Sequence, residues 1–277
     1  MAIMILIERG VAALNDKIKI YFSDAPGEWD NMTIFHLLTH TSGMGAYPLD
    51  FNYRLDYTDD ELYILIKTFP IAFSPGERYF YSDIGYVMLG ILIGRLTNQS
   101  YGDFLKENIL NPSLMKTARI ISESDIIPNR AAGYLLIDNE LKNQDWVAPT
   151  LNKLGDGSLY LTMLDMIQWD AVLYDKTLLK QQSSFDAMWS RARLNNGTTI
   201  RYGFGWFIYE AKNGLKVVWH AGEWQGFQSI FIRIPEARTA IVYFANLNYP
   251  NVAFLGFGVL NLYNPQLLPN SIEELSP

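Results

Sequence analysis

The chain has no cysteine and only three histidines in 277 residues. Disulfides and thiolate chemistry are therefore excluded. So short a supply of sulfur and imidazole ligands also argues against a structural zinc site. Positive charge is scarce: 22 Lys and Arg stand against 29 Asp and Glu, for a net charge of -7 and a pI near 5.0. With no cluster of basic residues, nucleic acid and anionic membrane are poor partners. Long apolar runs are missing as well, and no stretch reaches the length that spans a bilayer. The apolar segment at residues 1–7 has no basic start and meets Glu8 and Arg9 at once, unlike a secretion signal. The lack of cysteine is compatible with export but does not require it.

What is present is apolar and aromatic. Hydrophobic residues make up 49% and charged residues 18%, enough for a substantial core in one large domain or two intimate subdomains. Residues 1–10 read as a helix, apolar on nearly every face and closed by Gly10. Its first turn carries no N-cap and no polar residue, so a preceding segment is expected to satisfy its N–H groups. Turns are predicted at residues 26–31 and 74–77. Thr33 is placed to cap a short helix reaching His40 and closed by Ser42-Gly43. Thr58 with Glu61, and Thr162 with Asp165, open two more helices, the second running to residue 174. Residues 84–96 and 101–110 also have helical spacing, with Gly85, Gly90 and Gly94 allowing close packing. Beyond residue 200 the character changes. Residues 203–208, 216–220, 228–234 and 239–244 are short, aromatic and β-branched. Asn213-Gly214 signals a hairpin between the first two, and residues 235–238 make a later turn. A last helix is predicted at 251–260 and a frayed tail at 271–277. Helices, then an antiparallel meander, then a helix make an α+β pattern.

Three short motifs stand in order. They are His36-Leu37-Leu38-Thr39-His40-Thr41-Ser42-Gly43, Tyr81-Ser82-Asp83 and His220-Ala221-Gly222. His36 and His40 are four apart and could share a helix face. No Glu follows His36 and no third ligand is evident, so no metal is expected there. Taken singly, Tyr81 is one of 17 tyrosines and reads as packing, and His220 reads as a half-buried strand histidine. The one literal Ser-x-x-Lys in the chain is Ser113-Leu114-Met115-Lys116.

As an ordered set the motifs resemble the β-lactamase-like, penicillin-recognising serine hydrolases, a group that includes class C β-lactamases, DD-peptidases and esterases. The resemblance runs from residue 1 to about 263. It implies an α+β, β-lactamase/transpeptidase-like domain: an antiparallel sheet flanked by helices, with an inserted all-helical subdomain. The helical part is expected at about 26–150 and the sheet part at 1–25 plus 151–277, without the family's N-terminal strands. It implies acyl transfer on an ester, an amide such as a D-amino peptide, or a β-lactam, with no cofactor. Tyr81 would be the general base and acid facing the nucleophile, with Ser82 and Asp83 in the substrate site. Asp83 stands where Asn is commoner, and an ionised Asp accepts hydrogen bonds but donates none. His220 would line the opposite wall with Ala221 and Gly222, and the Glu223 N–H would serve an oxyanion. The His form of this motif is similar to esterases and D-amino-acid-specific peptidases more than to true β-lactamases.

The nucleophile of such enzymes is the Ser of a Ser-x-x-Lys at the start of a buried helix. Residues 1–10 resemble the C-terminal half of that helix, which places the expected serine about two turns before Met1 and outside this chain. Ser113 falls after Tyr81, where the family has a turn whose register Pro112 and Met115 keep, so it reads as an accidental match. An export signal, and with it a cell-envelope location, would be expected in the preceding segment. Two other readings stand beside this one. The chain could be a catalytically silent fragment or a binding module for a peptidoglycan-like or ester ligand. Its 14% of aromatic residues could serve a carbohydrate-binding or scaffold protein, although most fall at strand and helix positions where core packing explains them.

Overall fold

The computed structural model describes residues 1–120, 125–144, 146–150, 154–248 and 252–275. In chain order its elements are α1 (Ala2–Glu8), α2 (Ile34–Leu38), α3 (Asp59–Ile66), α4 (Asp83–Thr97), α5 (Tyr101–Leu105), β1 (Arg119–Ile120), β2 (Tyr134–Ile137), β3 (Glu140–Asn143), β4 (Leu159–Tyr160), α6 (Met163–Val172) and α7 (Gln182–Met188). There follow β5 (Phe207–Glu210), β6 (Lys216–Trp224), β7 (Phe227–Ile234), β8 (Thr239–Ala245), β9 (Leu247–Asn248) and α8 (Val252–Tyr263). The architecture is the expected α+β. The chain forms two compact units, one of Met1–Ser122 with Ala148–Phe204, the other of Glu123–Val147 with Gly205–Pro277.

The first unit is helical and built around α4. Ile84, Val87, Met88, Leu89, Ile91, Leu92 and Ile93 are all buried, so α4 is enclosed on nearly every face. It ends at Asn98, whose φ of 56° makes a left-handed C-cap. Gly90 lets a second segment lie against it: a Cβ at Gly90 would stand 3.1 Å from the Gly155 nitrogen, and one at Gly155 would stand 2.6 Å from the Tyr86 carbonyl oxygen. The apolar helix α1 buries residues 2–6 and touches α4. At its end Glu8 accepts hydrogen bonds from the Lys180 and Gln181 amides and the Ser184 hydroxyl, which closes the N-terminus of α7.

The capping expectations at Thr33, Thr58 and Thr162 hold, each side chain accepting from the amide three residues on. At Thr33 the third-position partner is His36, whose Nδ1 accepts from the Thr33 amide at 3.2 Å. The helix there stops at Leu38, short of His40. The helix expected over 101–110 is α through Leu105 and then widens into a π-turn, Lys106–Leu110. The pattern at 162–174 becomes α6, ending at Val172. Helix α7 was not expected: its first turn is polar, Gln182-Ser183-Ser184, and its N-terminus is completed by Glu8, far away in the chain.

The second unit carries the meander. Strands β5-β6-β7-β8 pair in that order, all antiparallel. The first strand begins at Phe207, later than the expected residue 203. Helix α8 packs on β7 and β8, and Gly256 permits the approach, since a Cβ there would stand 2.7 Å from the Ile230 side chain. Val217, Trp219, Ile230, Ile232, Ile234, Phe257 and Leu260 form the core between them. The last helix runs on to Tyr263; its expected first residue, Asn251, lies outside the described residues. The segment expected to fray forms a short 3-10 turn, Ile272–Leu275. A hairpin of β2 and β3 turns at Asp138 and Asn139, both at positive φ, 51° and 61°, as a two-residue primed turn requires. Strand β9 adds to β2 in parallel. Among the described residues no helix is long and apolar enough to cross a membrane.

Candidate active site

The first two motifs form one structure inside the helical unit. At the end of α2 the chain turns through His40, which has φ 55° and is 2% exposed. Its carbonyl accepts the Phe80 amide at 2.9 Å, and its Nδ1 accepts the Ser82 amide at 3.1 Å. Two of the next three residues hold the segment that leads up to it. The Thr41 carbonyl accepts the Gly76 amide at 2.8 Å, and the Gly43 carbonyl accepts the Ala72 amide at 2.8 Å. Gly43 sits at φ 85°, and a Cβ there would stand 2.0 Å from the Phe73 carbonyl oxygen, so only glycine fits. The hydroxyl of Ser42 accepts the Met44 amide, and the hydroxyl of Ser82 donates to the Gly45 carbonyl at 2.7 Å. Ser82 is therefore spent on structure, and its side chain is buried.

Tyr81 lies on this platform. Its ring is 40% exposed and packs on His40 with centroids 4.1 Å apart. Partial burial, then the charges of Asp83 and Asp156, push its phenol well above the usual tyrosine range; solvent at the open part of the ring screens some of this. In this environment the resting state at neutral pH is the protonated hydroxyl. Asp83 opens α4, where the helix N-terminus favours a carboxylate, yet desolvation raises its pKa.

Asp156 was not anticipated from the sequence. It follows Gly155, the residue seated against α4, and its Oδ1 is enclosed with no hydrogen-bond partner among the described residues. Burial, then the charge of Asp83, push its carboxyl up to about 8. The same two acids also raise the Tyr47 phenol, after burial. A short Gly-Asp-Gly between helical patterns looks like an ordinary turn, and nothing local signals that it meets the start of α4.

The Ser-x-x-Lys at Ser113 does not have the form that acyl transfer needs. Ser113 is 1% exposed, and its Oγ has no hydrogen-bond partner among the described residues. Leu114 has φ 57°, so no helical turn carries Lys116 to the same face.

The third motif lies on β6 in the second unit, with His220 opposite Phe231, Ala221 opposite Ile230, Gly222 opposite Ser229 and Glu223 opposite Gln228. The His220 ring lies along Phe207, and its Nδ1 is 2.5 Å from the Ala221 carbonyl oxygen. A carbonyl accepts, so the ring proton is assigned to Nδ1 and Nε2 is the acceptor. Desolvation holds the pKa of His220 below the usual imidazole value, against the pull of that carbonyl. Gly222 has a steric reason: a Cβ would stand 2.6 Å from the Ser229 Oγ. Glu223 is exposed. The pair His36 and His40 does not share a face. His36 completes the Thr33 cap, and both nitrogens of His40 are engaged, Nδ1 with Ser82 and Nε2 with Tyr202 at 3.1 Å.

Penicillin-binding protein 4* of Bacillus subtilis (strain 168) is 29% identical over 263 residues, covering 89% of this chain but 58% of that relative's length. The D-aminopeptidase of Brucella ovis is 29% identical over 159 residues, 56% of this chain and 29% of that protein. The octameric penicillin-binding protein homologue from Pyrococcus abyssi superposes with a TM-score of 0.80 at 24% identity, over 96% of this chain and 63% of that one. The profile of the Beta-lactamase family matches residues 1–256, so all three motifs lie inside one continuous match and the chain belongs to that family.

Proposed function

We propose that this chain carries the substrate-side machinery of a serine hydrolase acting by acyl transfer on a D-amino peptide, amide, ester or β-lactam. The observation that carries the reading is the continuous family match over residues 1–256, which contains Tyr81, Asp83 and His220 together. The Brucella ovis relative is a D-aminopeptidase, which supports the D-amino class of substrate.

Tyr81 is the proton carrier. Its raised phenol favours the protonated form, so it passes its proton to the leaving group as it takes the one released by the nucleophile, and in the second half-reaction it takes a proton from the attacking water as it returns one to the nucleophile's oxygen. His220, neutral and accepting through Nε2, binds a donor on the substrate. The β6 backbone at Ala221, Gly222 and Glu223 receives the extended substrate and its oxyanion. Asp83 accepts from a substrate N–H. None of these residues is the nucleophile.

The test is intact-mass spectrometry after incubation with a β-lactam and with an activated ester. An adduct that maps to one serine identifies the nucleophile, and its loss in Tyr81→Phe supports the assigned role. A second reading, ligand binding without turnover, is favoured by the sealed position of Ser113 in the one Ser-x-x-Lys of the chain. Saturable binding of the same probes with no adduct would select it. Neither adduct nor binding would refute both.

A further inference from the structure

We infer that His40 is a positioning residue for Tyr81, a clamp whose tautomer is set by the Ser82 amide it holds. The inference rests on the reading of Tyr81 as the proton carrier, and the first arm of its test does not depend on turnover.

The geometry is a clamp in the literal sense. One residue holds the backbone on both sides of Tyr81: the His40 carbonyl accepts the Phe80 amide at 2.9 Å, and the His40 ring accepts the Ser82 amide at 3.1 Å. The same ring supports the Tyr81 ring at 4.1 Å. For carbonyl and imidazole to meet one segment, His40 takes φ 55°, a left-handed conformation that is unfavourable for a non-glycine residue and persists only when its surroundings over-determine it.

The direction of every proton follows from the partners. A backbone amide can only donate, so Nδ1 of His40 must be the acceptor, and the neutral ring then carries its proton on Nε2. That nitrogen is 3.1 Å from the Tyr202 hydroxyl. With its one proton there, the ring donates to that hydroxyl, and turning the tautomer round would set two donors face to face at the Ser82 amide, which costs more than the bond is worth. His40 therefore has both ring nitrogens committed and none left for a metal; it sets where Tyr81 stands.

Three histidines make the test tractable. In the full chain labelled with 15N-histidine, long-range 1H–15N correlation at pH 7 should show one ring, lost in His40→Asn, with Nε2 protonated and Nδ1 bare. Hydrogen exchange at the Ser82 amide should be slow in wild type. It should stay within about tenfold of that in His40→Asn, whose Oδ1 takes the place of Nδ1, and rise roughly a hundredfold in His40→Gln, whose polar end reaches the other way. In the form that turns over an activated ester, kcat should fall in the same order with KM within about twofold, and Tyr202→Phe, which keeps both backbone bonds, should lower kcat less than His40→Gln. A protonated Nδ1 in wild type, or equal Ser82 exchange in wild type and His40→Gln, overturns the clamp. If the clamp is seen but Tyr81→Phe hydrolyses as wild type, the role given to Tyr81 fails and the clamp stands. Should His40→Gln not fold, the tautomer and the Ser82 exchange of wild type still decide.

Discussion

Replacing Asp156 by Asn tests the electrostatics beneath Tyr81. The carboxyl is lifted from 3.8 to about 8 by burial and then by Asp83, and its enclosed Oδ1 meets no hydrogen-bond donor among the described residues. In the unfolded chain the group titrates near 3.9. Below that value both states are protonated and nothing is gained or lost. Between about pH 4 and pH 8 the folded protein keeps a proton that the unfolded chain has released, so stability falls as pH rises through the window and levels above it. At about 1.4 kcal/mol per pH unit the full window corresponds to at most about 6 kcal/mol. Asp156 retains some contact with solvent, and Asp83 is exposed, so water relieves part of this and we expect a loss of about 2–4 kcal/mol. Asn has the same shape and no charge at any pH. Urea unfolding at pH 5 and pH 8.5 should show that loss in wild type and less than about 1 kcal/mol of it in Asp156→Asn, with the variant the more stable protein at the higher pH. Parallel profiles for the two proteins, or a variant weaker than wild type at pH 8.5, would refute the argument.

Three further changes probe other parts of the structure. Burial pushes the Glu8 carboxyl up, but bonds from the Lys180 amide, Ser184 and the Gln181 amide outweigh it and leave the pKa lowered; its contribution is therefore present above the unfolded value and lost as pH falls through the folded one. Glu8→Ala should cost about 1–3 kcal/mol at pH 7 by chemical denaturation, less under acid, and should speed exchange at the start of α7. Ser113→Ala removes a buried hydroxyl that has no partner among the described residues, so thermal melting should be unchanged or raised by the equivalent of up to about 1 kcal/mol, and adduct formation should be untouched. Gly222→Ala brings a Cβ against the Ser229 hydroxyl and should cost about 1–3 kcal/mol; adding Ser229→Ala should recover most of it, a coupling that a double-mutant cycle measures.

Much of the fold was legible because its signals are local. A Thr three residues before Glu61 or Asp165 satisfies amides that no other part of the chain needs to reach. Asn213-Gly214 makes its turn with Gly214 at φ 82° whatever surrounds it, and β6 and β7 are marked by the aromatic and β-branched residues that strands favour. Elements completed from afar were not legible. Helix α7 depends on Glu8, more than 170 residues earlier, and the widening after Leu105 leaves no mark in its residue types. The Asp138-Asn139 turn is different: its residues are the kind that accept positive φ, so the β2–β3 hairpin was readable and was missed.

The site divides along the same line, and its most legible motif is the least legible in purpose. Residues 36–43 stand out by identity, and from identity alone their histidines can be weighed only as ligands or as packing. Neither describes them. His36 serves a helix cap, Gly43 is a glycine because the Phe73 carbonyl lies where a Cβ would be, and His40 presents a carbonyl and a ring nitrogen to the two amides that bracket Tyr81. Each of these is a statement about backbone, and for Gly43 and His40 the partner lies some 30–40 residues on. A sequence motif of this kind records the complementary half of a second motif, so the run at 36–43 and the run at 81–83 are one structural unit written in two places. Asp156 adds a third place to it with no motif at all, because two glycines on different segments, Gly90 and Gly155, suffice to bring it to the start of α4. The chemistry assigned to Tyr81 thus depends less on the tyrosine, which any of 17 could supply, than on three backbone segments that leave its hydroxyl protonated and its ring in one position.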